Sequence, residues 1–304
     1  MSKAVQRREF LKISGSGLAV ASLAATRVVQ AQAEEPKRRF KKCLKFGMVR
    51  EDLSVMDKFK LLKDLGFDGV ELDGPSNLDR SEVLEARDSV DFPIPGVIDS
   101  VHWRQTLGDP DPKVRDEGLE GLRIALEDAK AYGASTVLLV PAVVRKDIPY
   151  DVAYHRSQAE IRKVLPLAEE LGVRIAFENV WNHFLMSPIE MARYIDEFNS
   201  PWVGAYFDVG NVVNWGWPEH WVRILGHRIL KVDVKEYSRT KRDQEGPFAG
   251  FDVPLGEGEC DYPAVVEALE LVGYEGWASA EVRGGDRQRL QEISQWMDNI
   301  LGLA

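Results

Sequence analysis

Ile229-Leu230-Lys231-Val232-Asp233-Val234-Lys235 alternates in character residue by residue. In an extended segment successive side chains point to opposite sides, so Leu230, Val232 and Val234 share one face and Lys231, Asp233 and Lys235 the other. Upstream lie a helical pattern at Glu219–Leu225 and Gly226, and beyond them a second apolar run, Val203–Asp208, again ending in an acid. This theme recurs along the chain. Extended runs are expected at Leu44–Val49, Phe67–Leu72, Ile94–Val101, Thr136–Val140, Arg174–Glu178, Val203–Asp208, Ile229–Lys235 and Trp277–Val282. Helices are expected at Val55–Leu65, Arg80–Arg87, Lys113–Tyr132, Tyr154–Leu171, Pro188–Phe198, Glu219–Leu225, Tyr262–Val272 and Asp286–Leu301. Gly66, Gly133, Gly172, Gly226 and Gly273 stand just past helical patterns, where a left-handed cap belongs.

Eight strand–helix alternations predict an α/β protein, a single (β/α)8 TIM barrel with its site at the C-terminal rim of the strands. An open, doubly wound sheet is the alternative, but no G-x-G-x-x-G follows the first strand. In a barrel the apolar face of Ile229–Lys235 must meet the helices, so Lys231, Asp233 and Lys235 point into the interior. Other strands deliver acids to the same rim: Glu71 and Asp73, Glu178, Asp208 and Glu281. Clustered carboxylates repel one another unless positive charge sits among them. That charge is either a divalent metal held by oxygen ligands, or an ion-paired network with Lys231, Lys235, Arg174 and Arg283.

The first residues are set apart from the fold. Gln6-Arg7-Arg8-Glu9-Phe10-Leu11-Lys12, an apolar stretch over Ile13–Val29 and the small residues Ala31 and Ala33 resemble a twin-arginine export signal. The resemblance implies a periplasmic or extracellular protein, exported already folded, with residues 1–33 as signal peptide, 34–42 as basic linker and 43–304 as the barrel. A disordered basic N-terminus is the plainer reading. The apolar stretch is short and contains Ser, Gly and Arg27, which argues against a stable membrane span. The formal charge of −10 argues against nucleic acid as a partner. Cys43 and Cys260, expected at opposite ends of the barrel, are expected to be free.

Five motifs together resemble the xylose-isomerase-like sugar phosphate isomerase/epimerase barrels: Glu178-Asn179-Val180-Trp181-Asn182, Phe207-Asp208-Val209-Gly210-Asn211, Lys231-Val232-Asp233-Val234-Lys235-Glu236, Leu255-Gly256-Glu257-Gly258 and Ala280-Glu281-Val282. The likeness spans Lys45 to Leu301. It implies one divalent metal ion on Glu178, Asp208 and Glu281, with Asp233 standing where relatives carry a histidine and Asn211 replacing another. An all-carboxylate set favours Mn²⁺ or Mg²⁺ over Co²⁺ or Zn²⁺. The implied chemistry is proton transfer next to a sugar carbonyl through an enediolate, with Glu178 and Glu281 as catalytic base and acid. Elimination from a keto-sugar, or a sugar-binding barrel without catalysis, are the neighbouring readings. A nuclease of the same fold needs more histidines than this chain has.

Around that centre, His102, Glu71, Trp181, Asn211, Lys235 and Arg283 are expected to touch a small sugar substrate, with Arg283 alternatively paired to Asp286. No Gly-rich phosphate cradle appears, so a non-phosphorylated sugar is expected. Barrels of this family often pair, so a homo-oligomer is admitted.

Overall fold

The computed structural model describes residues 39–303; the segment expected to be an export signal, and the expected linker up to residue 38, lie outside them. Eight parallel strands close on themselves in sequence order, the last pairing with the first. They are β1 (Phe40–Lys45), β2 (Gly69–Gly74), β3 (Gly96–Asp99), β4 (Thr136–Leu139), β5 (Arg174–Glu178), β6 (Val203–Asp208), β7 (Ile229–Val234) and β8 (Gly276–Ala280). The expected (β/α)8 barrel is the fold.

The helices follow the expected order: α1 (Val55–Asp64), α2 (Arg80–Val90), α3 (Pro112–Tyr132), α4 (Tyr150–Leu171), α5 (Pro188–Asp196), α6 (Gly210–Val213), α7 (Pro218–Leu225), α8 (Arg239–Glu245), α9 (Tyr262–Leu271) and α10 (Arg287–Leu301). Their starts carry side-chain caps, Ser54 accepting from the Asp57 N–H, Asp79 from Glu82 and Ser187 from Glu190. The short helices α6 and α8 were not expected; both lie inside strand-to-helix loops, where periodicity has too few residues to register.

Two departures concern strands. β1 begins at Phe40 and ends at Lys45, earlier than the expected Leu44–Val49. Three lysines mask its pattern. Lys42 is buried on the helix side, where its ammonium meets Ser294 Oγ at 2.8 Å and Asp298 at 2.7 Å. In β7 the pairing with β6 shifts between Ala205 and Tyr206, so Ile229 and Lys231 are matched and Leu230 is skipped. Such an irregularity reverses the face of the skipped residue. Leu230 therefore packs inside the barrel with Leu138, Ala176 and Tyr206, whereas Val232 and Val234 join the outer core as expected.

Helix α3 buries Gly118, Gly121, Leu122, Ala125, Leu126 and Ala129 at helical spacing. Its glycines matter to the site. A Cβ on Gly118 would lie 2.1 Å from the Gln105 carbonyl, and one on Gly121 would lie 2.2 Å from the Val101 side chain. The loop carrying His102 is thus pressed directly onto bare helix backbone. Cys43 and Cys260 are both free and buried, as expected.

Candidate active site

The residues of β7 set the electrostatics. Lys231, Asp233 and Lys235 all point inward, and their partners arrive from neighbouring strands. At the lower level Lys231 Nζ lies 2.7 Å from Glu71, and both side chains are 1% exposed. Glu71 also accepts from Lys45 Nζ at 2.9 Å, the Tyr206 hydroxyl at 2.6 Å and the Ser279 hydroxyl at 2.7 Å. Burial pushes its pKa up, but Lys231 and Lys45 together outweigh burial and hold it well below the usual carboxylate range. Glu71 was expected to meet substrate. The structure gives it a different setting, sealed beneath the mouth with its oxygens already saturated.

One level higher, Glu178, Asp208, Asp233 and Glu281 each offer an oxygen within 4.8 Å of one another. Two lysines flank them: Lys235 Nζ lies 2.8 Å from Asp208 and 3.2 Å from Glu281, and Lys45 Nζ lies 2.8 Å from Asp233. The expected metal ligands are therefore together, and so is part of the expected ion-pair network. Arg174 and Arg283 form no ion pair among the described residues, nor does Arg283 pair with Asp286, which caps α10.

Local structure fixes each acid. Asp208 ends β6, and its Oδ1 accepts the Asn211 N–H at 2.7 Å, capping the turn that follows. Asn179 bridges the ends of β5 and β6, donating to the Asp208 carbonyl at 2.8 Å and accepting the Asp208 N–H at 2.9 Å. Asn211 Nδ2 donates to the Asn179 carbonyl at 2.9 Å, and Trp181 Nε1 donates to the Asn211 carbonyl at 2.8 Å. Beyond β7, Glu236 accepts the N–H groups of Tyr237, Gly256 and Cys260 and so pins the Leu255-Gly256-Glu257-Gly258 loop. A Cβ on Gly258 would lie 2.4 Å from the Glu236 carboxylate. Lys235 turns to the acids rather than to Glu236.

The four carboxyls differ in proton affinity. Burial raises Glu178 well above the ordinary range, and the nearby Glu281 and Asp233 raise it further. Burial likewise raises Asp233 well above, against the opposing pull of Lys45. Asp208 is pushed up to about 6 by burial, with Lys235 opposing. Glu281 goes the other way: burial raises it, but Lys235 and Lys45 prevail and hold it low.

Glu178 Oε1 is buried and has no hydrogen-bond partner, and no ion pair reaches Glu178 among the described residues. A lone buried carboxylate oxygen costs free energy unless a cation or proton meets it. Counting Glu71, five interior carboxylates face the ammoniums of Lys45, Lys231 and Lys235, a surplus of two negative charges when all are ionised. That surplus equals the charge of one divalent cation. The donor set is all oxygen, as hard cations such as Mn²⁺ and Mg²⁺ require. The residues fit the expected metal.

Above the acids opens a cavity of about 580 Å³ lined by Glu178, Trp181, Asn211, Lys235, Glu281 and Arg283 among others. All six were expected near substrate or metal. His102 sits in an adjoining recess of about 320 Å³, with Asp99, Glu178 and Glu281. Its Nδ1 accepts the Val140 N–H at 3.3 Å, and burial lowers its pKa to about 4, so the ring is neutral and Nε2 carries the hydrogen. Asp99, pushed up to about 7 by burial, was not anticipated. Nor was Lys45, whose inward direction follows once β1 is counted from Phe40. Asn179 and Tyr206 left no signal of their own.

Matched against known proteins, residues 59–300 fit the model of the xylose isomerase-like TIM barrel. The L-ribulose-5-phosphate 3-epimerase UlaE of Escherichia coli O1:K1 is 31% identical over 244 residues, covering 72% of this chain and 78% of that protein. The chain belongs to the xylose isomerase-like TIM barrel family. Among solved structures, a D-tagatose 3-epimerase-like protein superposes with a TM-score of 0.72 at 20% identity, covering 86% of this chain and 98% of the other. The IOLI protein, solved with a bound zinc atom, superposes with a TM-score of 0.71 at 17% identity, covering 86% and 98%. These two share the barrel. Within the family, this chain brings four carboxylates and no histidine to the cluster.

Proposed function

We propose that the chain is a sugar isomerase/epimerase that moves a proton next to a carbonyl, with one divalent cation held by Glu178, Asp208, Asp233 and Glu281. The observation that carries this reading is the partnerless Glu178 oxygen facing three further carboxylates. The relationship to a 3-epimerase supports the reaction class. When bound, such a cation supplies Lewis acidity to a carbonyl and stabilises an enediolate. Oxygen-only donors favour Mn²⁺ or Mg²⁺.

The chain's own residues do the rest. The Glu281 carboxylate, held ionised by Lys235 and Lys45 on a side chain that is 38% exposed, is placed to take the proton. Glu178, on a different strand and lining the same cavity, is placed to return one. Lys235 Nζ keeps positive charge beside the developing oxyanion. Neutral His102 presents an N–H to the hydroxyl side of the recess. Trp181 closes one wall and excludes water.

The substrate is proposed to be non-phosphorylated, although the UlaE relative is named for a phosphate ester. Of the basic residues lining the cavity, Lys235 is committed to carboxylates, and Arg283, without an ionic partner among the described residues, is one cation, too little for a dianion. Export by the twin-arginine route belongs to the same proposal; Arg7→Lys with Arg8→Lys is expected to keep the protein in the cytoplasm, and unchanged export would refute it.

Solvent deuterium uptake tests the function. The Mn²⁺-loaded full chain is incubated in D₂O with ketopentoses, ketohexoses and their phosphates, and loss of the proton next to the carbonyl is followed by NMR. Exchange on a free sugar, abolished in Glu281→Gln, is the expected result. Mn²⁺ binding without exchange on any of them would overturn the enzyme reading. Exchange confined to the phosphates would overturn the substrate reading.

A further inference from the structure

A second cavity, of about 440 Å³, adjoins the first and shares Val180, Trp181, Asn211 and Phe248 with it. Its chemistry is different. Trp215, Trp221, Met186 and Leu185 line it, and no Asp, Glu, Lys or Arg does. Trp181 forms the partition, its ring centroid 5.1 Å from Trp215 and 5.3 Å from Phe248. Trp215 and Phe248 are 64% and 74% exposed, so their outer faces lie open beside the site. Exposed apolar surface of this kind marks a binding site more often than a structural remnant.

The shelf is built, not incidental. The Trp181 indole is oriented by its bond to the Asn211 carbonyl. The loop beneath it holds His183 and Leu185 at φ of 59° and 50°, a left-handed conformation that non-glycine residues adopt at a cost. That loop is tied by the Leu185 N–H to the Tyr150 hydroxyl and the Met186 N–H to Glu190, both at 3.0 Å.

A cavity of several hundred Å³ accommodates one small molecule, so a single sugar ring on the acids leaves the shelf empty. We infer that the shelf binds a second, uncharged sugar ring, and that the substrate is a neutral disaccharide whose reducing-end ketose sits on the carboxylates. This rests on the sugar isomerase/epimerase reading above. The ketose must keep its carbonyl, so the second ring is attached through a hydroxyl remote from the anomeric carbon. The C–H face of a pyranose stacks on indole and phenyl planes, and the absence of Lys and Arg from the lining disfavours a phosphate there.

Calorimetric titration of the Mn²⁺-loaded full chain with D-fructose, isomaltulose, maltulose and lactulose tests the inference. At least one disaccharide is expected to bind about tenfold more tightly than fructose, the effect of one aromatic stack with its buried area. In Trp215→Ala/Phe248→Ala that ratio should collapse toward one. Fructose binding as tightly as every disaccharide would overturn the inference and leave the function standing. Absence of both Mn²⁺ and ketose binding would overturn the two together. Sedimentation gives an independent check: a dimer that dissociates in Phe248→Glu would show a second copy on the shelf, and would also overturn the inference.

Discussion

Replacing Glu71 by glutamine should destabilise the barrel more than removing the lysine opposite it. Glu71 and Lys231 form a pair with both side chains 1% exposed, but their situations are unequal. Glu71 accepts from two ammoniums and two hydroxyls. Lys231 has Glu71 as its hydrogen-bonding counter-charge, with the Tyr206 ring 5.7 Å away as its other polarisable neighbour. Glu71→Gln therefore strands a buried ammonium, a loss of about 3–5 kcal/mol. Lys231→Met fills similar volume and leaves Glu71 with Lys45, Tyr206 and Ser279, so its cost should be about 1–3 kcal/mol. In the double variant no stranded charge remains at Lys231, and the destabilisation should fall below that of Glu71→Gln alone. Urea unfolding at pH 7 reads these differences as shifts in midpoint at constant m. Lys231→Met costing as much as Glu71→Gln, or a double variant worse than either single, would refute this account of the interior. The depressed pKa of Glu71 sets the sign with pH: its contribution is present above the unfolded carboxylate value, about 4.3, and is lost as the pH falls further.

Four further outcomes follow from the rim. Asp208→Asn or Glu281→Gln should weaken Mn²⁺ binding by at least about tenfold in calorimetry, since each removes an anionic donor; undiminished affinity would exclude the cluster as the metal site. Because burial pushes Asp208 up to about 6 in the cation-free protein and raises Glu178 and Asp233 well above the ordinary carboxylate range, Mn²⁺ must displace protons. Its affinity should drop about tenfold per proton per pH unit below 6, and pH-independent binding would contradict this. The same raised values mean that the folded state binds more protons than the unfolded one. Cation-free stability should therefore be highest below the unfolded value near 4 and decline as pH rises through 6, as far as these groups decide it; a melting temperature that rises over that window in wild type relative to Asp208→Asn would count against it. Asn179→Ala should cost about 1–3 kcal/mol, because it leaves the buried Asp208 N–H without a partner; a change below about 0.5 kcal/mol would show that the bridge between β5 and β6 is dispensable.

The fold was legible because burial on both sides of a closed parallel sheet leaves long apolar runs, and helices between them keep a helical period. That reading located Glu178, Asp208 and Glu281 at one rim from their places at strand ends, and Asp233 from the alternation of its strand. It failed where one residue changes parity. Moving β1 to Phe40–Lys45 brought Lys45 inward, and the shift in β7 put Leu230 inside and out of step with Val232.

By itself, then, the sequence determined the barrel, the inward charge of β7 and the convergence of carboxylates, because these depend on periodicity and on the end of the strand where a residue falls. Tertiary structure alone decided which acid is satisfied and which is not. Glu71 and Glu178 look alike in sequence, yet one is saturated by Lys45, Lys231, Tyr206 and Ser279, while the other has a buried oxygen with no partner. The difference lies mostly in contacts between residues more than a hundred positions apart, Glu71 with Tyr206, Lys231 and Ser279, which local pattern does not encode. The aromatic shelf has the same origin: Trp181, Trp215 and Phe248 lie on three separate loops and meet because the closed barrel brings those loops to one edge of the mouth.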